Sequence, residues 1–135
     1  MKVFFYGLFM DVDLLAKQGV VPERVSTGWV SDFALKISQR ATLVRTAGRQ
    51  AHGLVMDITS SELEALYSDA SVADYVPETL IVNMRDGSST EALCYNLPLN
   101  KIAGEKKEYA KLLLALAMKL GFPTSYTDQI LRASQ

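Results

Sequence analysis

The chain has 135 residues, enough for one domain, and its 14 basic and 15 acidic residues give a net charge of −1. Because there is no basic excess, the composition argues against binding to the backbone of DNA or RNA. No lysine- or arginine-rich run would attract an anionic membrane surface, and no apolar stretch is long enough to cross a bilayer. Hydrophobic residues make up 49% of the chain, which is ordinary for a globular domain with a buried core.

The single cysteine and the single histidine limit the chemistry further. Cys94 cannot form an intrachain disulfide, and with His52 it leaves too few soft ligands for a structural zinc site. The sequence also lacks the glycine spacing of a dinucleotide or P-loop motif. We therefore expect no metal and no cofactor. The N-terminus does not have the order of segments that marks a signal peptide, so we expect a cytoplasmic protein.

The first predicted element is a β-rich apolar strand over residues 2–6 that meets Gly7. A buried strand that ends at a glycine leaves backbone N–H groups free beyond its end, and the missing side chain lets a ligand approach the main chain. This arrangement predicts a cradle for an anion or an oxyanion. Strands that end at a glycine are also common in proteins without such a site.

The following segment alternates between polar and apolar residues over several short runs. A helical turn is predicted at residues 14–16, and strands are predicted at residues 28–38, 41–44 and 52–58. Between the second and the third of these strands we predict a turn at residues 47–49, centred on a glycine.

A helix and a hairpin come next. Thr59 and Glu62 have the spacing of a capping box, which predicts a short helix that begins there. Two alternating runs, residues 79–84 and 91–96, flank the turn-forming residues 86–89 and predict a β-hairpin.

The last third of the chain has helical periodicity over about residues 105–133, interrupted at Gly121. We expect these helices to pack against the sheet. The order of elements predicts a single α+β domain over residues 1–135. Its sheet is mixed, largely antiparallel and closed toward a barrel over about residues 1–97.

The sequence Tyr6-Gly7-Leu8-Phe9-Met10 after the first strand resembles the Tyr-Gly-Ser/Thr-Leu opening of the gamma-glutamylcyclotransferase-like superfamily, in its avirulence-induced-gene-like subgroup. Further pieces resemble the family in the expected order over about residues 2–97. They are Gly28-Trp29-Val30, Phe33-Ala34-Leu35, Ala41-Thr42-Leu43-Val44, His52-Gly53-Leu54-Val55, Leu63-Glu64-Ala65-Leu66, Tyr75 and the hairpin.

The resemblance implies a small mixed barrel with a pocket at one end. Enzymes of the family release a γ-glutamyl group as 5-oxoproline, because the α-amine of the glutamyl unit attacks its own γ-carbonyl. A general base must then take a proton from the amine, and fixed N–H groups must meet the oxyanion. By resemblance, the main chain of Gly7, Leu8 and Phe9 would bind the substrate, and Tyr6 and Tyr75 would line the pocket.

The chain departs from the family pattern at two positions, one in the loop after the first strand and one after the predicted helix. Ala70 stands where the resemblance places the family's catalytic glutamate, and Leu8 replaces the hydroxyl residue after Tyr6-Gly7. An alanine methyl group cannot move a proton. Asp69 and Glu78 are therefore the candidate catalytic residues, although each also fits a solvated loop carboxylate.

Three functions follow from these observations. The first is a gamma-glutamylcyclotransferase-like enzyme whose acid/base residue is relocated. The second is a catalytically inactive module on the same fold that binds a carboxylate-containing small molecule. The third is an interaction protein that works through its C-terminal helices. In the first two cases the partner is a small molecule that carries a γ-glutamyl or another carboxylate group, and the sequence leaves the oligomeric state open.

Overall fold

A computed structural model describes residues 1–135, and its central feature is a closed barrel of five strands. The strands are β1 Lys2–Phe5, β2 Glu23–Ile37, β3 Ala41–Asp57, β4 Val76–Met84 and β5 Ser89–Asn96. They follow the order β1-β3-β2-β4-β5 around the barrel. All neighbours are antiparallel except β1 and β5, which close the barrel in parallel at Val3 and Leu93. The α+β class and the mixed, largely antiparallel barrel expected from the sequence are confirmed.

Four helices accompany the barrel: α1 Val12–Lys17, α2 Ser60–Leu66, α3 Lys107–Lys119 and α4 Thr124–Ala133. Short 3₁₀ turns lie at Leu8–Met10 and Leu99–Lys101. None of the helices combines the length and the apolar character needed to span a membrane.

The predicted capping box opens α2. The Glu62 N–H donates to Oγ1 of Thr59 at 3.2 Å, and the Thr59 N–H donates to Oε1 of Glu62 at 3.2 Å. These two hydrogen bonds satisfy backbone donors that the first helical turn leaves free. They fix the start of the segment that leads to Tyr67 and Asp69.

The turn predicted at residues 47–49 is wrong, because β3 continues through it. Strands β2 and β3 form one long hairpin whose register shifts between Ser31 and Phe33. At this bulge Asp32 and Gly48 both have positive φ, and the Gly48 N–H donates to Oδ1 of Asp32 at 3.0 Å. The glycine supplies the left-handed conformation of a bulge, so the strand bends without reversing.

One hydrophobic core runs from the barrel into the C-terminal helices. It joins Val3 and Phe4 of β1 with Leu113 of α3 and with Tyr126 and Ile130 of α4, all of which are buried. The terminal helices therefore complete the core, as expected from their apolar stripes. They are not a module appended to a finished barrel.

Close packing at Gly53 sets the position of β1. A Cβ atom at Gly53 would lie 2.2 Å from the Phe5 carbonyl oxygen and 2.8 Å from the Phe4 ring. Only glycine allows this approach, because real Cβ atoms do not come so close to a backbone oxygen. The end of β1, and with it the loop at Gly7, is held against β3 in this way.

Candidate functional site

A cavity of about 290 Å³ lies at one end of the barrel. Its wall is formed where β1 and β5 end and where β3 and β4 begin, together with the segment after α2 and the start of α3. Tyr6, Gly7, Leu8, Phe9 and Tyr75 all lie in this wall. The structure thus brings together in one cavity all five residues that the resemblance implies for substrate binding.

The loop after β1 presents main-chain donors to the cavity. The Leu8 N–H donates to the hydroxyl of Tyr109 on α3 at 3.3 Å. The N–H groups of Gly7 and Phe9 donate no hydrogen bond within the chain. Two backbone donors beside the cavity are therefore free for a ligand, as an anion cradle requires.

Gly7 is needed for close approach and not for an unusual backbone angle. Its φ is −109°, which any residue adopts. A Cβ atom at this position would lie 2.7 Å from the Tyr109 hydroxyl oxygen. The close approach expected at this glycine is present, and the approaching atom belongs to α3. Sequence reasoning missed Tyr109 as a site residue, because helical periodicity alone marked it as a packing residue.

Four tyrosines line the cavity together with the loop after β1: Tyr6, Tyr67, Tyr75 and Tyr95. The Tyr67 and Tyr95 rings stack with centroids 3.9 Å apart and an angle of 10° between their planes. The Tyr6 hydroxyl donates to the Tyr95 carbonyl at 2.7 Å, and the Tyr75 hydroxyl donates to the Ala41 carbonyl at 2.5 Å. Burial raises the pKa of Tyr6, Tyr67 and Tyr75, so these phenols are neutral at physiological pH.

Asp69 is the single carboxylate in the cavity wall. Its Oδ1 accepts hydrogen bonds from the Ser71 hydroxyl at 2.7 Å and from the Ser71 N–H at 2.9 Å. These bonds hold the pKa of the Asp69 carboxyl below its usual value. Asp69, Ala70 and Ser71 are all exposed, and of the three only Asp69 and Ser71 border the cavity.

Two cations border the same cavity. Arg40 binds both carboxylate oxygens of Asp74, at 2.5 and 2.9 Å, and also donates to the Ser71 carbonyl at 3.1 Å. Its guanidinium carbon lies 5.6 Å from the centre of the Tyr75 ring. Lys106 is exposed and forms no ion pair. The guanidinium charge of Arg40 is already paired with Asp74, so Lys106 is the cation of this wall that is free to face a ligand carboxylate.

Glu78, the second candidate carboxylate, lies outside the wall of this cavity. Its Oε1 accepts from the Asn96 side chain at 3.0 Å, and its Oε2 pairs with Arg45 at 3.1 Å. The structure does not bring Glu78 and Asp69 together. Both oxygens of Glu78 have partners in the barrel wall, so its catalytic role has no geometric support.

Cys94 and His52 also lie away from the cavity wall. Cys94 is fully buried, and burial raises the pKa of its thiol. The centre of the His52 ring lies 4.9 Å from the centre of the Tyr126 ring and 5.8 Å from that of the Phe122 ring. His52 also borders a smaller second cavity. No three histidine, cysteine or acidic side chains come together as they would around a metal ion.

Comparison with protein families identifies one match over most of the chain. The family described as "Gamma-glutamyl cyclotransferase, AIG2-like" matches residues 3–112. This range extends beyond the residues 2–97 expected from the motifs and includes the first half of α3. No match was found among proteins of curated function.

Several solved structures share the fold. A gamma-glutamyl cyclotransferase superposes with a TM-score of 0.76 at 18% identity, over 96% of this chain and 85% of that one. YkqA from Bacillus subtilis gives a TM-score of 0.78 at 20% identity, over 99% of this chain and 54% of that one. A yeast gamma-glutamyl cyclotransferase specific to glutathione gives 0.67 at 11% identity, over 99% of this chain and 95% of that one. At these identities the likeness shows the fold alone.

Proposed function

Because the chain belongs to the gamma-glutamyl cyclotransferase, AIG2-like family, we propose that its cavity binds a small γ-glutamyl amide or dipeptide and releases the glutamyl unit as 5-oxoproline. One observation carries the proposal. The carboxylate of Asp69 and the free N–H groups of Gly7 and Phe9 border the same cavity. A volume of about 290 Å³ suits a small molecule and is too small for a folded partner.

The proposed reaction is an internal transfer that consumes no water. The α-amine nitrogen of the glutamyl unit attacks the γ-carbonyl carbon, and a new C–N bond closes the five-membered ring. The old amide C–N bond then breaks, and the proton that the amine lost ends on the leaving nitrogen. The N–H groups of Gly7 and Phe9 would hold the oxyanion that forms in between.

The charged residues of the wall fit the ends of such a substrate. Asp69 would bind the α-ammonium group, accept its proton and return a proton to the leaving nitrogen. Lys106, which forms no ion pair within the chain, would face the α-carboxylate. Since hydrogen bonds from Ser71 lower the pKa of Asp69, this carboxylate is a weak base, and we expect slow turnover.

The same pKa shift supports a second candidate, binding without turnover. A carboxylate whose pKa is lowered attracts an ammonium group well but removes its proton poorly. No glutamate borders the cavity to take over this role. In this case the chain is a binding module for a γ-glutamyl or another carboxylate-containing ligand.

The decisive experiment measures turnover and binding on the same protein. Purified protein is incubated with γ-glutamyl amides and dipeptides, and released 5-oxoproline is quantified. The melting temperature is followed with each ligand, because a ligand that binds the native state raises it. We expect Asp69→Asn to lose about 100-fold or more in turnover while it stays folded. Glu78→Gln is the matched control outside the cavity and should retain turnover.

The outcomes separate the two candidates. Release of 5-oxoproline that disappears in Asp69→Asn supports the enzyme. A ligand-dependent rise in melting temperature without any release supports the binding module. If the panel gives neither release nor a rise in melting temperature, both candidates are rejected.

A further inference from the structure

The hydroxyl of Tyr109 contacts the loop at Gly7 and Leu8, and Tyr109 is one of the residues that line the cavity. We infer that this phenol extends the cradle: it accepts the Leu8 N–H and donates its own O–H to the carbonyl oxygen of the bound ligand. The inference rests on the proposed function for the identity of the ligand. It adds a binding residue from α3, outside the loop after β1.

The hydrogen-bond pattern of the hydroxyl supports this role. A phenol oxygen accepts a hydrogen bond and donates one. The Tyr109 oxygen accepts from the Leu8 N–H at 3.3 Å, and its O–H has no acceptor within the chain. Because accepting one hydrogen bond strengthens the donor on the same group, the bond from Leu8 makes the O–H a better donor. Tyr109 lines the cavity and is only partly buried, which supports a role of this donor toward a ligand there.

The position of the hydroxyl is fixed from two sides. A Cβ at Gly7 would lie 2.7 Å from the Tyr109 oxygen, so the oxygen sits directly against the main chain of the loop. On α3 the next residue, Ala110, is fully buried, as is Leu113 one turn further. The Tyr109 ring is itself partly buried and packs against the hydrophobic core, so the core supports it from the side of α3. A donor that is already held in place loses little conformational entropy when the ligand binds.

The phenol is protonated under ordinary conditions. Burial raises the pKa of Tyr109 above its usual value. At neutral pH the group therefore keeps the proton that it must donate. Its oxygen lies against the loop that carries the free N–H groups of Gly7 and Phe9, and all three residues line the cavity.

The competing explanation is that the hydroxyl blocks the cradle. In that case the Tyr109 oxygen occupies the Leu8 N–H in place of a ligand oxygen, and the ligand must displace it. The two explanations predict opposite effects when the hydroxyl is removed. Tyr109→Phe keeps the ring and deletes only the oxygen, so it distinguishes them directly.

The test compares the wild type, Tyr109→Phe and the matched control Tyr126→Phe. Tyr126 is a second buried phenol, on α4, whose hydroxyl has no hydrogen-bond partner and lies outside the cavity wall. Dissociation constants are measured by titration with 5-oxoproline and with γ-glutamyl-methylamide, and melting temperatures confirm that all three proteins are folded. We expect Tyr109→Phe to weaken binding about three- to tenfold, the range for one lost hydrogen bond. Tyr126→Phe should bind like the wild type.

The failure of this inference is distinguishable from the failure of the proposed catalysis. If Tyr109→Phe binds as tightly as the wild type or more tightly, the inference is overturned, whatever the turnover. If the wild type binds both probes but releases no 5-oxoproline from γ-glutamyl-methylamide, the catalytic proposal fails. For each probe, the dissociation constant of Tyr109→Phe divided by that of the wild type still decides the role of Tyr109. A wild type that binds neither probe overturns the inference as well.

Discussion

Arg40 forms a bidentate ion pair with Asp74, in which Nη1 lies 2.5 Å from Oδ1 and Nη2 lies 2.9 Å from Oδ2. Nη1 also donates to the Ser71 carbonyl. Arg40, which directly precedes β3, therefore binds two residues of the segment that follows α2, Ser71 and Asp74. Since Asp69 lies at the start of that segment, the Arg40–Asp74 pair helps to keep it at the cavity.

Breaking this pair with Asp74→Asn should lower the free energy of unfolding by about 1 kcal/mol, a value typical of a well-formed but partly exposed pair. Their side chains are 30% and 35% exposed. The hydrogen bond from Arg40 holds the pKa of Asp74 below its usual value. The stabilisation is therefore complete above about pH 4, the ordinary aspartate pKa, and disappears as the pH falls through the lowered value.

Urea unfolding at pH 7 and at pH 3 measures this effect. The difference between wild type and Asp74→Asn should be present at the higher pH and smaller at the lower one. Glu108→Gln is the control, because its pair with Lys111 is exposed and lies within one helix. That variant should stay within about 0.5 kcal/mol of the wild type. An equal difference between wild type and Asp74→Asn at both pH values would contradict the assignment.

Gly7→Ala should destabilise the protein and disturb the cradle. The added Cβ would lie 2.7 Å from the Tyr109 oxygen, so either the loop or α3 must shift. We expect a loss of about 1–3 kcal/mol in the free energy of unfolding, the range for overpacking a filled site. Because φ at Gly7 is −109°, backbone strain does not contribute to this loss.

A double-mutant cycle isolates the cause. In the Tyr109→Phe background the oxygen that meets the new methyl group is absent, so Gly7→Ala should cost less there than in the wild type. The two residues are in contact, and such pairs show interaction free energies above about 0.5 kcal/mol. Additive effects of the two substitutions would show that some other contact of Gly7 is responsible.

Much of the fold could be predicted from local sequence signals. The capping box at Thr59, the hairpin turn around Gly87 and the helical periodicity near the C-terminus each specify structure within a few residues, and all three are present. The failure at Gly48 has a physical reason. A glycine with positive φ serves a tight turn and a bulge equally well, and only pairing with β2 across the bulge decides between them.

The site was predictable only in part, because its residues come from distant parts of the chain. The loop at Gly7 has a local signature, whereas Tyr109 reaches it from 101 residues further along the sequence. Counting from the helix motif selects Ala70, yet the cavity wall contains its neighbours Asp69 and Ser71. The turn that places Asp69 there depends on a hydrogen bond to Ser71 that no periodicity reveals.

Removing the cap of α2 with Thr59→Ala should cost about 1 kcal/mol of stability. The substitution deletes the oxygen that accepts the Glu62 N–H and leaves that donor without its partner. Ser60→Ala is the matched control, because Ser60 is the next residue and its hydroxyl forms no hydrogen bond. Thermal or urea unfolding of both variants checks the prediction. Equal losses in the two variants would show that the cap contributes nothing specific.

His52 should make the stability depend on pH near neutrality. Burial among the rings of Trp29, Phe122 and Tyr126 lowers the pKa of the imidazole. The unfolded chain therefore takes up a proton more readily than the folded one, and stability falls as the pH drops below the ordinary histidine value of about 6.5. The ring is only half buried, so we expect a loss of less than about 1 kcal/mol between pH 7.5 and pH 5.5. His52→Phe keeps an aromatic ring in the cluster and removes the titration. If the variant loses as much stability as the wild type over this range, the titrating group lies elsewhere.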